Sequence, residues 1–551
     1  MTRLGPALAA SAAVSAALGA ACSPPDHGPR FRAAGSPVPR AGGTLRFAVK
    51  DQLHTLDPTI GYDEVAYYVL HPLFDTLVDF SPAGIEIVPR LARSWTVEDG
   101  GLTYRFELRP GIAFSDGAPI TAAHVKFSLE RALATADSPF AEYLADIAGA
   151  REMIDSQGKV ASCAGIVVPS DHVLEIHLLR ANPALLDILA MPFATPQRPE
   201  HVAAAGDQLR RQPDATGPFE LARWDEGTQV VLRRNPHYFD PSRAHLDEII
   251  MLEGIPSDTQ FQMFERGELD TAEQLAAPDY LFVRTEPAWQ PYVHRSVGMN
   301  VFGSRMNVTV KPFDDRRVRQ ALNYALDKRH TARLLNGTTV ASHGLLPPGM
   351  LGRDPDLAPY PHDPARARAL LAEAGYPHGF DVEYMTAYDE ETEKIAGSLQ
   401  SDLAEVGVRI HIVVTALATL ATETARPTGP AFSFASWTAD YPDPTNFFDP
   451  RFHSRSIKPE GSTNDSFYAN PELDALLDAA RAELDPRRRD ALYRRAERIL
   501  YDDAPWIWDY HRVKTEVTQP YVRGYELHPI WIRDYTSAWL DLGPGGAPVP
   551  R

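Results

Sequence analysis

Residues 382–414 read VEYMTAYDEETEKIAGSLQSDLAEVGVRIHIVV. Val382 to Met385 and Val408 to Val414 are apolar runs of strand length, and the stretch from about Glu390 to Glu405 between them is typical of a helix. Gly407 separates this helix from the second strand. A strand-helix-strand unit of this kind connects parallel strands. The sequence therefore predicts an α/β second half of the chain.

Other segments show the residue periods that are typical of strands and of helices. Alternation of apolar and polar residues predicts half-buried strands over 44–49, 104–108 and 173–178. An apolar stripe predicts a helix from about Asp315 to Arg329. A capping side chain before a proline marks three further helix starts, at Asp363-Pro364, Asn470-Pro471 and Asp485-Pro486, and the first of these helices is expected to stop at Gly375. The first half of the chain is richer in strands.

The composition is that of a folded, acidic protein. The chain has 551 residues, 44% of them hydrophobic, with 73 acidic and 54 basic side chains and a net charge of −19. Its length corresponds to roughly three or four domain-sized units. The net charge argues against a sequence-independent grip on nucleic acid and against a peripheral patch for anionic lipid, since both need clustered cations.

The first 22 residues have the pattern of a secretory signal. Arg3 precedes an Ala-rich apolar stretch, and small residues lead to Cys22, as at the acylated cysteine of a lipoprotein. Such motifs usually have Leu three residues before the cysteine, where this chain has Gly19. Ordinary signal cleavage is the alternative. If Cys22 is lipidated, Cys163 is the only remaining thiol and an intrachain disulfide is impossible.

Two segments are expected to be unstructured. Residues 23–43 are rich in Pro, Gly, Ser and Arg and predict a flexible linker between the anchor and the folded body. Residues 543–550 have a similar composition.

Short motifs along nearly the whole chain resemble the dipeptide/oligopeptide-binding branch of extracellular solute-binding protein family 5, which supplies ABC importers. Each motif is weak alone, but their order and spacing are specific. The motifs are Leu56-Asp57-Pro58, residues 89–95 (PRLARSW), residues 103–111 (TYRFELRPG), Phe114-Ser115-Asp116-Gly117, Thr216-Gly217-Pro218-Phe219, Arg234-Asn235-Pro236, residues 312–321 (PFDDRRVRQA), Glu373-Ala374-Gly375-Tyr376 and residues 437–444 (WTADYPDP).

The resemblance implies a two-lobed α/β fold of the periplasmic-binding-protein type, with a subdomain inserted in the first lobe. Lobe I would comprise 44–78, 190–301 and 513–551, the inserted subdomain 79–189, and lobe II 302–512. Chain crossings near Val301 and His511 would form the hinge. The implied function is the substrate-binding component of an ABC importer, which encloses short peptides between the lobes and delivers them to a membrane permease.

The acidic aromatic motif starting at Trp437 is the main candidate for ligand recognition. In peptide-binding relatives the Asp of the Trp-x-x-Asp-Tyr pattern binds the ligand's amino terminus, and the matching residues here are Asp440 and Tyr441, with Trp437 as a pocket wall. An enclosed ammonium needs a carboxylate, because burying it unpaired costs several kcal/mol. Two alternatives remain: Asp440 could cap a turn, or join Asp443 and Asp449 in a calcium loop, although the prolines and the spacing disfavour the loop.

Weaker candidates surround this motif. In relatives, a backbone segment after Leu-Asp-Pro lies beside the ligand, which predicts ligand contact for Tyr62, Asp63 and Glu64. Phe140 is expected either at the cleft or as an ordinary core or surface residue, and His511 is expected to face either the ligand or solvent. Some relatives hold the ligand carboxylate with an Arg where this chain has Phe434, so Arg305 is proposed as a substitute. Some also have a disulfide cysteine where this chain has Thr438.

Other function classes remain as alternatives. Within the family, the ligand could be a nickel complex, a sugar or another small solute. An exported hydrolase is less favoured, since the chain has neither a G-x-S-x-G elbow nor an H-E-x-x-H helix. The expectation is therefore a monomeric binding protein of the bacterial periplasm or cell surface, without enzymatic activity, cofactor or metal. It would contact the membrane only through a lipid anchor and would not bind nucleic acid.

Overall fold

The structure is a computed structural model that describes residues 28–82, 84–136, 138–156, 159–273 and 275–551. The predicted signal and Cys22 lie outside these ranges. Within them the chain forms two α/β lobes, and an inserted subdomain interrupts the first.

A 13-residue strand, Trp506–Thr518, connects the two lobes. Up to Arg512 this connecting strand pairs with Asn300–Met306 and Thr339–Ala341, and from Val513 it pairs with Val293–Val297 and Thr271–Ala272. The change of partner lies beside Val301 and His511, where the crossings are predicted. Gly303 allows the close approach at a bulge in this pairing, because a Cβ there would lie 2.0 Å from the Ile507 carbonyl oxygen.

The connecting strand belongs to an eight-stranded sheet. The sheet continues through Asn300–Met306 to Phe432–Thr438, Phe380–Ala387 and Val408–Thr415. The last two strands are parallel and flank helix Glu390–Ala404, which confirms the predicted crossover.

Two four-stranded sheets form the rest of the scaffold. One contains, in order, Thr44–Ala48, Glu248–Leu252, Gln229–Arg234 and Phe219–Asp225. The other, in the inserted subdomain, contains Ala92–Glu98, Thr103–Leu108, Val173–His177 and Ile166–Ser170. Short two-stranded pairs are Val78–Phe80 with Ile87–Pro89, Val522–Arg523 with Trp539–Leu540, and Leu527–His528 with Ile532–Arg533. The residue boundaries of the domains stay predictions.

The helices cover these sheets. In the first part of the chain they are Glu64–Leu73, Ala122–Ala134, Ala150–Ser156, Leu185–Leu189, Pro199–Ala205, Ser257–Arg266 and Ala277–Thr285. The second part has Arg316–Ala325, Lys328–Leu334, Pro364–Glu373, Glu390–Ala404, Leu417–Thr424, Thr445–Phe452, Pro471–Ala482 and Pro486–Asp503. None of the helices in the described ranges has both the length and the apolar composition needed to span a bilayer.

The predicted helix starts at Asp363, Asn470 and Asp485 are confirmed, because each side chain accepts a hydrogen bond from the first turn. The prediction of a single helix from Asp315 to Arg329 is wrong. The helix ends at Ala325, because Asp327 caps a second helix by accepting from the Arg329 backbone N–H.

The two chain ends differ from the flexible segments that the sequence predicts. Phe31–Arg32 pairs antiparallel with Val549–Pro550. The Asp541 carboxylate also accepts hydrogen bonds from the backbone of Gly35 and Ser36. Composition alone missed this pairing because its partners lie more than 500 residues apart in sequence.

The inserted subdomain packs against lobe II in this structure. One apolar cluster continues from Phe140 and Phe193 to Phe447 and Trp508. At its edge, Arg481 Nη2 lies 2.8 Å from Asp146 Oδ2. The two lobes are therefore in contact around the cleft.

A buried ion cluster supports helix Glu64–Leu73. The His71 ring stacks on Trp531 with centroids 4.8 Å apart and lies 3.4 Å from Asp79 and 3.5 Å from Asp534. Burial alone would lower the pKa of His71, but the Asp534 and Asp79 carboxylates outweigh burial and raise it to about 9.

We expect this cluster to make stability fall at alkaline pH. Because the folded-state pKa of about 9 exceeds the unfolded value, the stabilisation is complete below pH ~6.5 and is lost as pH rises through about 9. Urea unfolding at pH 6 and pH 9.5 should show that His71→Gln costs more at pH 6, by on the order of 3 kcal/mol. An equal cost at both pH values would contradict a charged His71.

Candidate ligand-binding cleft

A cavity of about 500 Å³ lies between the lobes. Three neighbouring strands contribute every second residue to it, as the period of a strand requires. These residues are Asn300 and Phe302, then Phe434, Ser436 and Thr438, and then Tyr510, Arg512 and Lys514; Gly298 and Met299, just before the first strand, also line the cavity. The other walls include Tyr388, Asp389, Glu391 and Leu417 from lobe II, and Glu64 and residues 528–530 from lobe I.

Asp440 lies directly after strand Phe432–Thr438, next to the cavity-lining Ala439. The residue is only 8% exposed. Tyr62 donates its hydroxyl hydrogen to Oδ1, while the Tyr143 hydroxyl and the Asn446 amide donate to Oδ2 over 2.5 and 3.0 Å. The carboxylate is thus held by three neutral donors. Two of them come from lobe I and its inserted subdomain.

No Lys, Arg or His in the described ranges forms an ion pair with Asp440. Its charge instead acts on nearby phenols: burial, followed by the field of Asp440, raises the pKa of Tyr62, Tyr67 and Tyr143. The Tyr67 hydroxyl is also buried and has no hydrogen-bond partner. Local electrostatics would therefore favour a cation that enters here.

Asn446 fixes the position of Asp440. Its side-chain oxygen accepts the Asp440 backbone N–H over 3.0 Å and the Trp437 indole N–H over 3.3 Å, while its amide nitrogen donates to the carboxylate. Asn446 stands in helix Thr445–Phe452, whose first turn is bound by Asp443.

The carboxylates of Asp443 and Asp449 are engaged by arginines. Arg489 binds both oxygens of Asp443 over 2.6 and 2.8 Å, and Arg455 and Arg481 contact Asp449. No group of three potential metal ligands occurs in the part of the chain that the structure describes. This arrangement disfavours the calcium-loop alternative.

Ion pairs line the end of the cavity where the connecting strand changes partners. Lys514 contacts both oxygens of Glu64 over 2.6 and 2.9 Å and lies 3.5 Å from Glu273. Burial opposes ionisation of Glu64, but Lys514 outweighs it and lowers the pKa of Glu64. Arg512 pairs with Glu391 and lies over the Phe302 ring, 5.1 Å from its centroid.

The family model for bacterial extracellular solute-binding proteins, family 5 Middle, matches residues 86–459. The chain belongs to this family. Relatives include di/tripeptide-binding protein 2 of Pseudomonas aeruginosa, 28% identical over 492 residues, with 86% of this chain and 90% of the relative covered. The glutathione-binding protein GsiB of Salmonella typhimurium is 28% identical over 466 residues, with 84% and 87% covered.

Solved structures agree with the fold. Clavulanic acid biosynthesis oligopeptide binding protein 2 superposes with a TM-score of 0.84 at 26% identity, over 93% of this chain and 99% of that one. The two-lobed fold with an inserted subdomain, predicted from the motifs, is thereby confirmed.

The structure brings some predicted site residues together and places others elsewhere. Tyr62 contacts Asp440, and Glu64 lines the cavity. Asp63 caps the helix that follows by accepting from the Ala66 N–H over 2.8 Å. Tyr441 is buried against the Tyr143 ring, with centroids 5.4 Å apart.

Three predicted positions point away from the cavity because of strand alternation. Trp437, His511 and Arg305 alternate with the cavity-lining residues on their strands, so their side chains lie on the opposite face. Trp437 supports Asn446 instead of walling the pocket. His511 is fully buried, donates its Nδ1–H to the Asn300 carbonyl oxygen, and has its pKa lowered to about 4 by burial.

The prediction that Arg305 binds a ligand carboxylate is not met. The side chain is fully buried and its guanidinium donates to Ser433 Oγ and to the carbonyls of Asp465 and Pro430. Phe140 is also fully buried: it stacks on Phe193 and contacts the Tyr62 ring edge-on at 5.6 Å. It acts as packing behind Tyr62.

The sequence reasoning missed several cleft residues: Tyr143, Tyr388, Glu391, Tyr510, Arg512 and Lys514. The last three could have been found, since residues 510, 512 and 514 share one face of a continuous strand pattern. Tyr143 and Glu391 reach the site only through tertiary packing.

We expect Asn446→Ala to destabilise the fold, because it removes one donor to a buried carboxylate and the acceptor for two N–H groups. Urea unfolding should show a loss of about 1–3 kcal/mol. The cost should be smaller in an Asp440→Asn background, where the carboxylate charge is absent. Equal costs in both backgrounds would mean that Asn446 does not act through the Asp440 charge.

Proposed function

We propose that this protein is the substrate-binding component of an ABC importer and that it captures short peptides by their amino terminus at Asp440. The observation that carries the proposal is a nearly buried carboxylate with three neutral donors and no cationic partner among the described residues. A peptide ammonium supplies the missing charge and three N–H donors. The similarity to a di/tripeptide-binding and a glutathione-binding protein supports this ligand class.

Capture requires no chemical step. The ammonium would compete with the Tyr62 and Tyr143 hydroxyls for the Asp440 oxygens, and the phenols would then offer their own oxygens to it. Since both tyrosines come from the side of the cleft opposite Asp440, the bound ammonium would join the two lobes. Ligand binding would then favour the closed form through contacts that only that form provides.

The rest of the peptide would lie over the three-strand floor. Ser436, Thr438 and Asn300 offer polar groups there, and Phe302 and Tyr510 offer apolar surface. A cavity of about 500 Å³ leaves room for water beside the side chains, which allows many peptide sequences. The closed form would then be recognised by a membrane permease, which releases the peptide into its channel.

The cellular setting is part of the proposal. A secretory signal directly before Cys22 supports export to the periplasm or cell surface with a lipid anchor, and we expect the protein to be a monomer without enzymatic activity.

Replacing Asp440 should abolish recognition of the amino terminus. Calorimetry with trialanine should show that Asp440→Asn weakens binding by at least ~1.5 kcal/mol, the scale of a charged hydrogen bond. Acetylating the amino terminus of trialanine should weaken its binding to the wild-type protein by a similar amount. In Asp440→Asn, acetylation should have little further effect on affinity. Asp381→Asn removes an exposed carboxylate that does not line the cavity, and it is the matched control. Unchanged affinity in Asp440→Asn would refute the amino-terminus role.

The lipid anchor has a direct test. Mass spectrometry of the protein extracted from membranes should find a mature chain that begins at Cys22 and carries acyl chains, and Cys22→Ser should leave the protein in the soluble fraction. A mature chain that begins at another residue would contradict lipidation.

A further inference from the structure

The cavity has two cations on one strand face, and they differ in how many donors they have left. Lys514 has three N–H donors, and three carboxylate oxygens of Glu64 and Glu273 lie within 3.5 Å of its nitrogen. Lys514 is therefore already neutralised by lobe I. His528, a third basic side chain at the cavity, accepts the Ile530 and Trp531 N–H groups at Nδ1, so it is a neutral imidazole.

Arg512 has donors to spare. Its guanidinium carries five N–H groups, and Glu391 is contacted only through Nη1, at 3.4 Å, and Nη2. The group is held in place by the Phe302 ring, which itself stacks on Tyr510 with centroids 4.9 Å apart. About a third of the Arg512 side chain is exposed (34%). It is thus an oriented cation at the cavity wall.

Glu391 is an exchangeable partner. It stands in the first turn of helix Glu390–Ala404 with 33% of its side chain exposed, so it can turn towards solvent. The helix start does not depend on it, because Asp389 supplies the cap. A partly exposed ion pair of this kind is weak and can give way to a better partner.

The spacing between Arg512 and Asp440 fits a short peptide. Both flank the residues just before strand Asn300–Met306: the Ala439 N–H donates to the Met299 carbonyl, and the Gly298 N–H donates to the Arg512 carbonyl. Two strand spacings of about 4.8 Å separate their backbones by ~10 Å. An extended peptide advances ~3.4 Å per residue. Allowing for the two side chains, the gap corresponds to about two or three residues.

We propose that Arg512 binds a carboxylate of the ligand, which takes the place of Glu391. This inference rests on the proposed function and narrows it: the preferred ligand carries an ammonium and a carboxylate about two or three residues apart. The carboxylate can be the peptide's own carboxyl terminus or an acidic side chain at that distance, since the guanidinium recognises the same planar group in both.

Calorimetry with trialanine and trialanine amide tests the proposal. The wild-type protein should prefer the acid at least about tenfold, as expected for a charged hydrogen-bonded pair. In Arg512→Gln this preference should fall to about one, whereas the exposed Arg409→Gln should retain it. Glu391→Gln should increase the preference, because the competing carboxylate is gone. Thermal unfolding checks that each variant is folded.

A third peptide separates the two carboxylate sources. If Ala-Ala-Glu amide regains the affinity lost by trialanine amide, Arg512 also accepts a side-chain carboxylate; if it does not, Arg512 reads the carboxyl terminus alone.

The results of these binding experiments distinguish failure of the Arg512 proposal from failure of the proposed peptide capture. Equal binding of acid and amide, with the Asp440→Asn and acetylation effects intact, overturns the role of Arg512 and leaves peptide capture standing. If Arg512→Gln still binds trialanine more tightly than trialanine amide, the role of Arg512 is likewise overturned and peptide capture still stands. Reduced preference in Glu391→Gln overturns the exchange. If neither peptide binds, or acetylation has no effect, the proposed function itself fails.

Discussion

The architecture of the cleft depends on one constraint, the period of two along the connecting strand Trp506–Thr518. This strand pairs with both lobes, and its alternate residues Tyr510, Arg512 and Lys514 face the space between them. The strands of Asn300 and Ser436 repeat the same alternation beside it. The floor of the cavity is therefore set by backbone register, and a shift of one residue would exchange the polar floor for the core face.

The second determinant is an unbalanced charge. Asp440 is almost excluded from solvent, but its described partners are all neutral. Hydrogen bonds to neutral groups keep the carboxylate in place, while burial, followed by the negative field of Asp440, raises the pKa of the surrounding phenols. Elsewhere in the same segment, Asp443 and Asp449 are each bound by arginine. This contrast between neighbouring carboxylates supports the proposed binding role of Asp440 more directly than its burial alone.

Local patterns in the sequence predicted the scaffold well and the site only in part. Caps such as Asp363 and the crossover over 382–414 depend on short-range chemistry, so the residues concerned are adjacent in sequence. The helix break before Asp327 arises because the cap of a second helix competes with continuation of the first. The pairing of the chain ends depends on partners that are distant in sequence. At the site, the motif drew attention to Trp437 and the predicted chain crossing to His511, and both side chains lie on the face opposite the cavity. Motif membership does not report side-chain direction, whereas alternation along the strand does.

Recognition at two ends would make the cleft selective without tight side-chain pockets. The described cavity wall has three carboxylates, Glu64, Asp389 and Glu391, against the cations Arg512 and Lys514, and Asp440 adds a further negative charge beside it. A solute with a carboxylate but no ammonium would enter an already negative site and would be repelled. A solute with only an ammonium would leave the Arg512–Glu391 pair undisturbed and would gain one anchor. A zwitterion of matching length would gain both anchors and would lie across the strands that join the two lobes, so its binding would favour lobe closure.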